Sequence, residues 1–265
     1  MSKVACSNRV LLTVRLCILV IGLGILPFSY TMGYSHAELG VMSLASSPSV
    51  SNSVYLDGVA SSGFQYTTHT SYQLTLTTFH SKDLIVVVFN NYNYDTLTHQ
   101  SVETIQDSSG LVWHIRINSQ CSSCFPPPSI FYAVSSKILT DDVVTLTTTD
   151  PSTEYQLTIF GMHGVNTFDS KSSLPSITPI TFGSLSQVSM NTSHGGEVAL
   201  AYFQIGYVSD QIGYPSGYSQ ITLPTSGDWF YLAFEVLGTH QTHVVTSWLV
   251  SPADNSLAID DAMIR

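Results

Sequence analysis

The stretch YQLTLTTFHSKDLIVVVF, residues 72–89, decides the fold class. From Tyr72 to Phe79 apolar and polar side chains alternate, which suits a strand with one buried face. From Leu84 to Phe89 the chain is an unbroken apolar run rich in β-branched residues, which predicts a strand covered on both faces.

Outward from this pair the same signatures recur. Strands are predicted at Val102–Gln106, Leu111–Ile117, Ile130–Val134, Val143–Thr148 and Tyr155–Phe160. After a Ser/Pro-rich stretch come Val198–Ile205, Tyr218–Leu223, Trp229–Leu237, Val244–Val250 and Leu257–Ile264. Turn sequences divide them: Asp107-Ser-Ser-Gly110, Asp150-Pro151, Pro215-Ser-Gly217 and Ser226-Gly-Asp228. No comparable window keeps a helical period. The reading is an all-β chain, a two-layered antiparallel β-sandwich or jelly-roll-like body of about twelve strands.

The two halves, 54–165 and 180–265, echo one another. Asp83-Leu-Ile-Val-Val-Val-Phe89 resembles Glu197-Val-Ala-Leu-Ala-Tyr-Phe203. Ser129-Ile-Phe-Tyr-Ala-Val134 resembles Asp228-Trp-Phe-Tyr-Leu-Ala-Phe234, and Asp142-Val-Val-Thr-Leu146 resembles His243-Val-Val-Thr-Ser247. Internal duplication predicts that each half supplies one set of strands to a shared body.

The N-terminus carries a secretory layout. Lys3, Arg9 and Arg15 precede an apolar run from Leu16 to Phe28, and Ser35-His36-Ala37 offers small residues at a cleavage site. The run is shorter than the roughly 20 apolar residues of a spanning helix. Residues 1–37 are therefore read as a signal peptide, and the alternative is an uncleaved N-terminal anchor as the sole membrane attachment. Residues 38–53 form a Ser/Pro-rich spacer ahead of the sandwich domain, 54–265.

Beyond residue 37 the charge is 5 − 18 = −13, from Lys82, Arg116, Lys137, Lys171 and Arg265 against all 18 acidic residues. That balance argues against nucleic acid or an anionic lipid surface as a partner. Solubility rests instead on hydroxyls, with 60 Ser and Thr in the 228 residues after Ala37.

The successive runs TTFHSKDLIVVVFNNY, VETIQDSSGLVWHIR, IFYAVSSKILTDDVVTLTTT and YQLTIFGMHGVNTFDSKSSLPS cover most of residues 70–180. In their order they resemble a group of secreted and cell-surface archaeal and bacterial proteins, Ser/Thr-rich and built as jelly-roll-like β-sandwiches. The resemblance implies fold and cell-surface location, and it carries no activity. GVNTFDS lacks the small spacer expected before Phe168, and the C-x-x-C insertion is outside the pattern.

Cys121 and Cys124, in NSQCSSCFPPPS, are the only cysteines beyond the signal segment. A zinc site needs more ligands than one such pair provides. A redox motif would open a helix, which Pro126-Pro-Pro128 forbids. In an exported chain the pair reads as a disulfide clip, worth only about 2 kcal/mol for so short a loop. Asn191-Thr-Ser193 is the one glycosylation sequon.

No catalytic residue, cofactor or metal site is predicted. His240-x-x-His243 would point to opposite faces of a strand, and Asp141-Asp142 and Asp260-Asp261 likewise. No G-x-S-x-G is present. Tyrosine-rich loops are the other feature: Tyr92, Tyr94 and Asp95 in one, and Tyr207, Tyr214 and Tyr218 in another, mix aromatic faces with polar groups as glycan binding requires. The expected function is an exported, non-catalytic structural or adhesive protein whose partners are other cell-surface proteins or glycans. The alternatives are a carbohydrate-binding module on the tyrosine loops, or a filament subunit self-assembled by donation of Glu38–Ala45 to a neighbour's sheet.

Overall fold

In the computed structural model the described residues are 54–122, 126–171, 173–178, 185–205, 212–225, 229–241, 244–250 and 255–265. The signal segment 1–37, the spacer 38–53, Cys124, Tyr207 and His243 lie outside them. Among the described residues there is no helix, and every strand pairing is antiparallel or isolated.

The first half runs β1 (Tyr55–Ser61), β2 (His69–Leu76), β3 (Leu84–Tyr92), β4 (Thr98–His99), β5 (Val102–Asp107), β6 (His114–Ile117), β7 (Cys121–Ser122), β8 (Ser129–Val134), β9 (Asp142–Ser152) and β10 (Glu154–His163). The second runs β11 (Val165–Phe168), β12 (Ser176–Thr178), β13 (Leu185–Met190), β14 (Glu197–Ile205), β15 (Ile212–Gly213), β16 (Ser219–Ile221), β17 (Phe230–Leu237), β18 (Val244–Val250) and β19 (Asn255–Ile264). Among the described residues seven strands go beyond the dozen expected: β4, β7, β11, β12 and β15 have only two to four residues, too few to show a period, while β1 and β13, with seven and six, lack a clean alternation.

The first half forms a five-stranded sheet, β1-β10-β3-β8-β6, and a three-stranded sheet, β2-β9-β5. The second forms β11-β19-β14-β17-β16, with β12 added to β19, and β13-β18-β15. Leaving aside the short β4, β7 and β12, each half reads first-eighth-third-sixth-fifth in one sheet and second-seventh-fourth in the other. First strand beside last, with eight strands in two sheets, is a jelly-roll arrangement. The three sequence echoes fall on equivalent strands: β3 with β14, β8 with β17, β9 with β18.

The duplication does not give one two-layered body with a set of strands from each half; instead each half forms its own antiparallel sandwich. One core lies between the two sheets of the first half and holds Tyr72, Ile85, Val87, Phe89, Leu146 and Ile159. A second fills the other half, with Ala199, Phe203, Ala233, Trp248, Leu257 and Ile259. A third joins the larger sheet of each half, where Leu84, Val86, Val88, Phe160 and Met162 meet Val198, Leu200, Tyr202, Ala258 and Ala262. Each half contributes two sheets, so four sheets enclose three cores. The unbroken apolar runs follow from this stacking. Alternate residues of β3 and of β14 enter different cores, and both strands are buried from end to end (Leu84–Asn91 and Glu197–Ile205).

Candidate functional site

The chemistry-bearing side chains gather at one place in each half, where the first, third and eighth strands meet the connection between the second and third. In the first half a bulge in β1 lies between Leu56 and Val59, with Gly58 at φ +102°. A Cβ on Gly58 would stand 2.2 Å from the Thr77 carbonyl oxygen, so the bulge requires glycine. The carboxylate of the neighbouring Asp57 accepts from the amides of Phe79 (3.0 Å) and His80 (2.7 Å) and lies 3.2 Å from His80 Nδ1. Asp83, fully buried just before β3, meets His163 Nδ1 at 2.8 Å through one oxygen. Its other oxygen is buried and, apart from the facing Asp57 carboxyl, meets no donor among the described residues. The His80 and His163 rings stand 4.7 Å apart, and the Tyr55 hydroxyl reaches His80 at 3.2 Å.

Asp57 and Asp83 present their carboxyl groups to one another. Burial, then the Asp57 carboxyl, pushes Asp83 above the usual carboxylate range, with His163 opposing. For Asp57, burial works against the charge. The Asp83 carboxyl, the Phe79 and His80 amides and the His80 ring outweigh it and hold the group low.

In the second half a bulge in β11 precedes Asp169, whose amide donates to the Asp261 carbonyl at 2.8 Å. The Ser193 hydroxyl donates to the Asp169 carboxylate and lies 2.8 Å from His194 Nδ1 and 3.3 Å from Glu197 Oε1. Glu197 Oε1 accepts from the His194 amide at 3.0 Å, and the His194 ring stands 3.4 Å away. Glu197 Oε2 and both carboxylate oxygens of Asp261 are buried without a donor. Burial, then the facing Glu197 carboxyl, drives Asp261 far above the ordinary range.

The strand ladders align the two clusters. Leu84 pairs Met162 and Val198 pairs Ala262, so Asp83 and Glu197 hold one position. Leu56 pairs Met162 and Phe168 pairs Ala262, so Asp57 and Asp169 hold another. His80-Ser-Lys-Asp83 and His194-Gly-Gly-Glu197 complete the match. The fourth member differs: His163 corresponds to Met263, and Asp261 to Gly161. Asp57, His80 and His163 offer ligand atoms within 4.8 Å of one another, as do Asp169, His194 and Glu197.

No family model, curated protein or solved structure matches the chain. Its chemistry is read from its own residues.

A third polar feature joins the halves. Arg116 of β6 donates through Nε and a terminal nitrogen to the two oxygens of Asp260 in β19, both at 2.6 Å, while its guanidinium covers the Phe168 ring. Asp260 is fully buried, and burial pushes its carboxyl up to about 6 against the pull of Arg116. The two neighbours Asp260 and Asp261 thus serve opposite faces of β19, as strand alternation requires.

The tyrosine loops divide. Tyr94 is 56% exposed, stands edge-on to Tyr92, and begins a turn in which Asn93 Oδ1 accepts from the Asp95 amide at 2.8 Å. Tyr214 and Tyr218 instead pack against the second core, Tyr214 on Trp248 and Tyr218 bonded to Thr246 at 2.7 Å. The cleft lined by Phe89, Asn91, His99, Gln100, Pro126 and Ser129 has no room even for a water molecule, so it is not a ligand pocket. Cys121 pairs with His99 in the β4–β7 ladder, while the proposed bridge depends on Cys124, outside the described residues. Asn191 is exposed after β13, and its sequon hydroxyl, Ser193, is bound into the second cluster. His240 is exposed.

Sequence reasoning named Asp261 only to set it aside and assigned no role to the other seven cluster residues. A signal was present: the 114-residue offset that aligns the apolar runs also aligns His80 with His194 and Asp83 with Glu197.

Proposed function

We propose that the chain is an exported cell-surface or extracellular protein, structural or adhesive and without catalysis, that acts through the contacts of its folded body. The observation that carries this reading is the fusion of two sandwiches across a shared apolar core, clamped by the buried Arg116–Asp260 pair. Such a body holds its edges and loops rigidly for a partner, and its hydroxyl-rich composition suits an aqueous exterior. The secretory layout of residues 1–37 and the cysteine clip belong to the same reading.

The test is expression of the full chain in an export-competent host, followed by surface proteolysis of intact cells and sizing of the culture medium. Protein found on the surface or in the medium, shortened near residue 37, supports export. Retention in the cytoplasm overturns it.

Self-assembly is the second reading, supported by β6, which among the described residues ends its sheet, and where Ile115 is 65% and nearby Val112 72% exposed. An unpaired edge with apolar side chains accepts an added strand. Polymers lost on deleting 38–45 would support donor-strand assembly, and a monomer at every concentration would end it. A glycan array separates adhesion to sugar from adhesion to protein, with Tyr94→Ala as the variant that must lose sugar binding.

A further inference from the structure

We propose that each half of the chain holds one divalent cation, at Asp57, His80, Asp83 and His163 in the first and at Asp169, His194, Glu197 and Asp261 in the second. Both sites use the same three backbone positions, so the pair is a duplicated feature of the fold. The sequence reading had expected no metal ligands.

Two independent observations point to an ion. The first is the donor set: imidazole nitrogens and carboxylate oxygens converge from separate elements, with nitrogen–oxygen separations of 3.2, 2.8 and 3.4 Å. Two ligands bound at about 2.0–2.1 Å to one tetrahedral ion stand about 3.3 Å apart, so the 3.2 and 3.4 Å spacings suit a shared centre, while His163 and Asp83, now hydrogen-bonded at 2.8 Å, would part by about 0.5 Å. The second is the set of orphaned oxygens. Among the described residues no donor reaches Asp83 Oδ2, Glu197 Oε2 or either Asp261 oxygen, all buried on side chains no more than 1% exposed. They sit where carboxyl group faces carboxyl group, Asp83 against Asp57 and Asp261 against Glu197. A cation between facing carboxylates neutralises both charges and occupies the lone pairs that no N–H reaches.

The ligand types separate the two sites. Two imidazoles and two carboxylates suit a zinc-class ion with four ligands. One imidazole with three carboxylates, beside the Ser193 hydroxyl, is oxygen-rich and suits a harder ion of the manganese or calcium class. In each half the ion would tie the first strand and the second–third connection to the central strands, closing one end of an outer core. His80 and His194 are exposed at 47% and 66%, which leaves a route of entry from solvent.

The full chain, stripped with a chelator and dialysed separately against Zn²⁺, Mn²⁺ and Ca²⁺, tests this by metal analysis and thermal melting. The expected result is one zinc ion retained at the first site and one manganese or calcium ion at the second, each raising Tm by several degrees. His80→Ala with His163→Ala should lose the zinc alone, and Glu197→Gln with Asp261→Asn the other ion alone. Metal-free protein after every dialysis, with melting indifferent to chelator, overturns the proposal and leaves the facing carboxyls as pairs sharing a proton. Stoichiometry unchanged in both double variants overturns it too, by placing the ions elsewhere. Should the variants not fold, Co²⁺ added to the unaltered chain decides the first site. A tetrahedral visible spectrum bleached by Zn²⁺ supports it, and a spectrum of hydrated cobalt overturns it.

Discussion

At the scale of single residues, the polar groups taken out of water set the sharpest constraints. Arg116 and Asp260 form a bidentate pair at 2.6 Å in the core that joins the halves. Removing one partner leaves an unpaired buried charge, so Arg116→Met should cost roughly 3–5 kcal/mol in urea unfolding. Adding Asp260→Asn should recover much of that loss. Glu154 is buried beside Tyr94 with one oxygen lacking a donor. Burial raises its pKa, with the Tyr94 hydroxyl opposing. A carboxyl raised in the fold contributes stability below its unfolded pKa and loses it as pH climbs through the folded value. Glu154→Gln should therefore melt higher than the parent chain at about pH 7.5 and show no gain near pH 4. A gain of equal size at both pH values would contradict that assignment.

At the scale of elements, strand identity is a local property and strand partnership is not. The run Leu84–Phe89 announces a strand buried on both faces, and β3 is one because alternate side chains feed two cores. The turn Asp107–Gly110 was equally legible. Asp107 accepts from the amides of Ser109 and Leu111 and from the Trp113 indole, and Gly110 takes φ +77°. The β1 bulge had no such signature. Asp57-Gly58 by itself signals a turn, and only Thr77, nineteen residues on, makes it a bulge that admits no side chain. Gly58→Ala should destabilise by about 1–3 kcal/mol from the positive φ alone, and more from the clash with the Thr77 carbonyl. Asp57 moves with that bulge, so the variant should also weaken any cation bound in the first half while sparing the second. Equal loss at both sites would show general unfolding instead.

At the scale of the whole molecule, two sandwiches become one body because their larger sheets share a core. The first half alone would expose Leu84, Val86, Val88, Ile130, Phe160 and Met162 to water. Expressed as residues 54–164, it should dimerise through that face or aggregate, with strong binding of a hydrophobic dye, while the entire chain stays dye-silent. A soluble, dye-silent monomer of the half would show that the central core is dispensable. The sequence by itself determined the all-β class, the strands with clear periods and the echo between halves, because each depends on neighbours a few residues apart or on direct repetition. The eight clustered acids and histidines, the Arg116–Asp260 clamp and the inward turn of Tyr214 and Tyr218 were decided only by tertiary structure. Each depends on residues far apart in sequence, from 23 positions for Asp57 and His80 to 144 for Arg116 and Asp260, and no local pattern records which distant strand a given side chain will face.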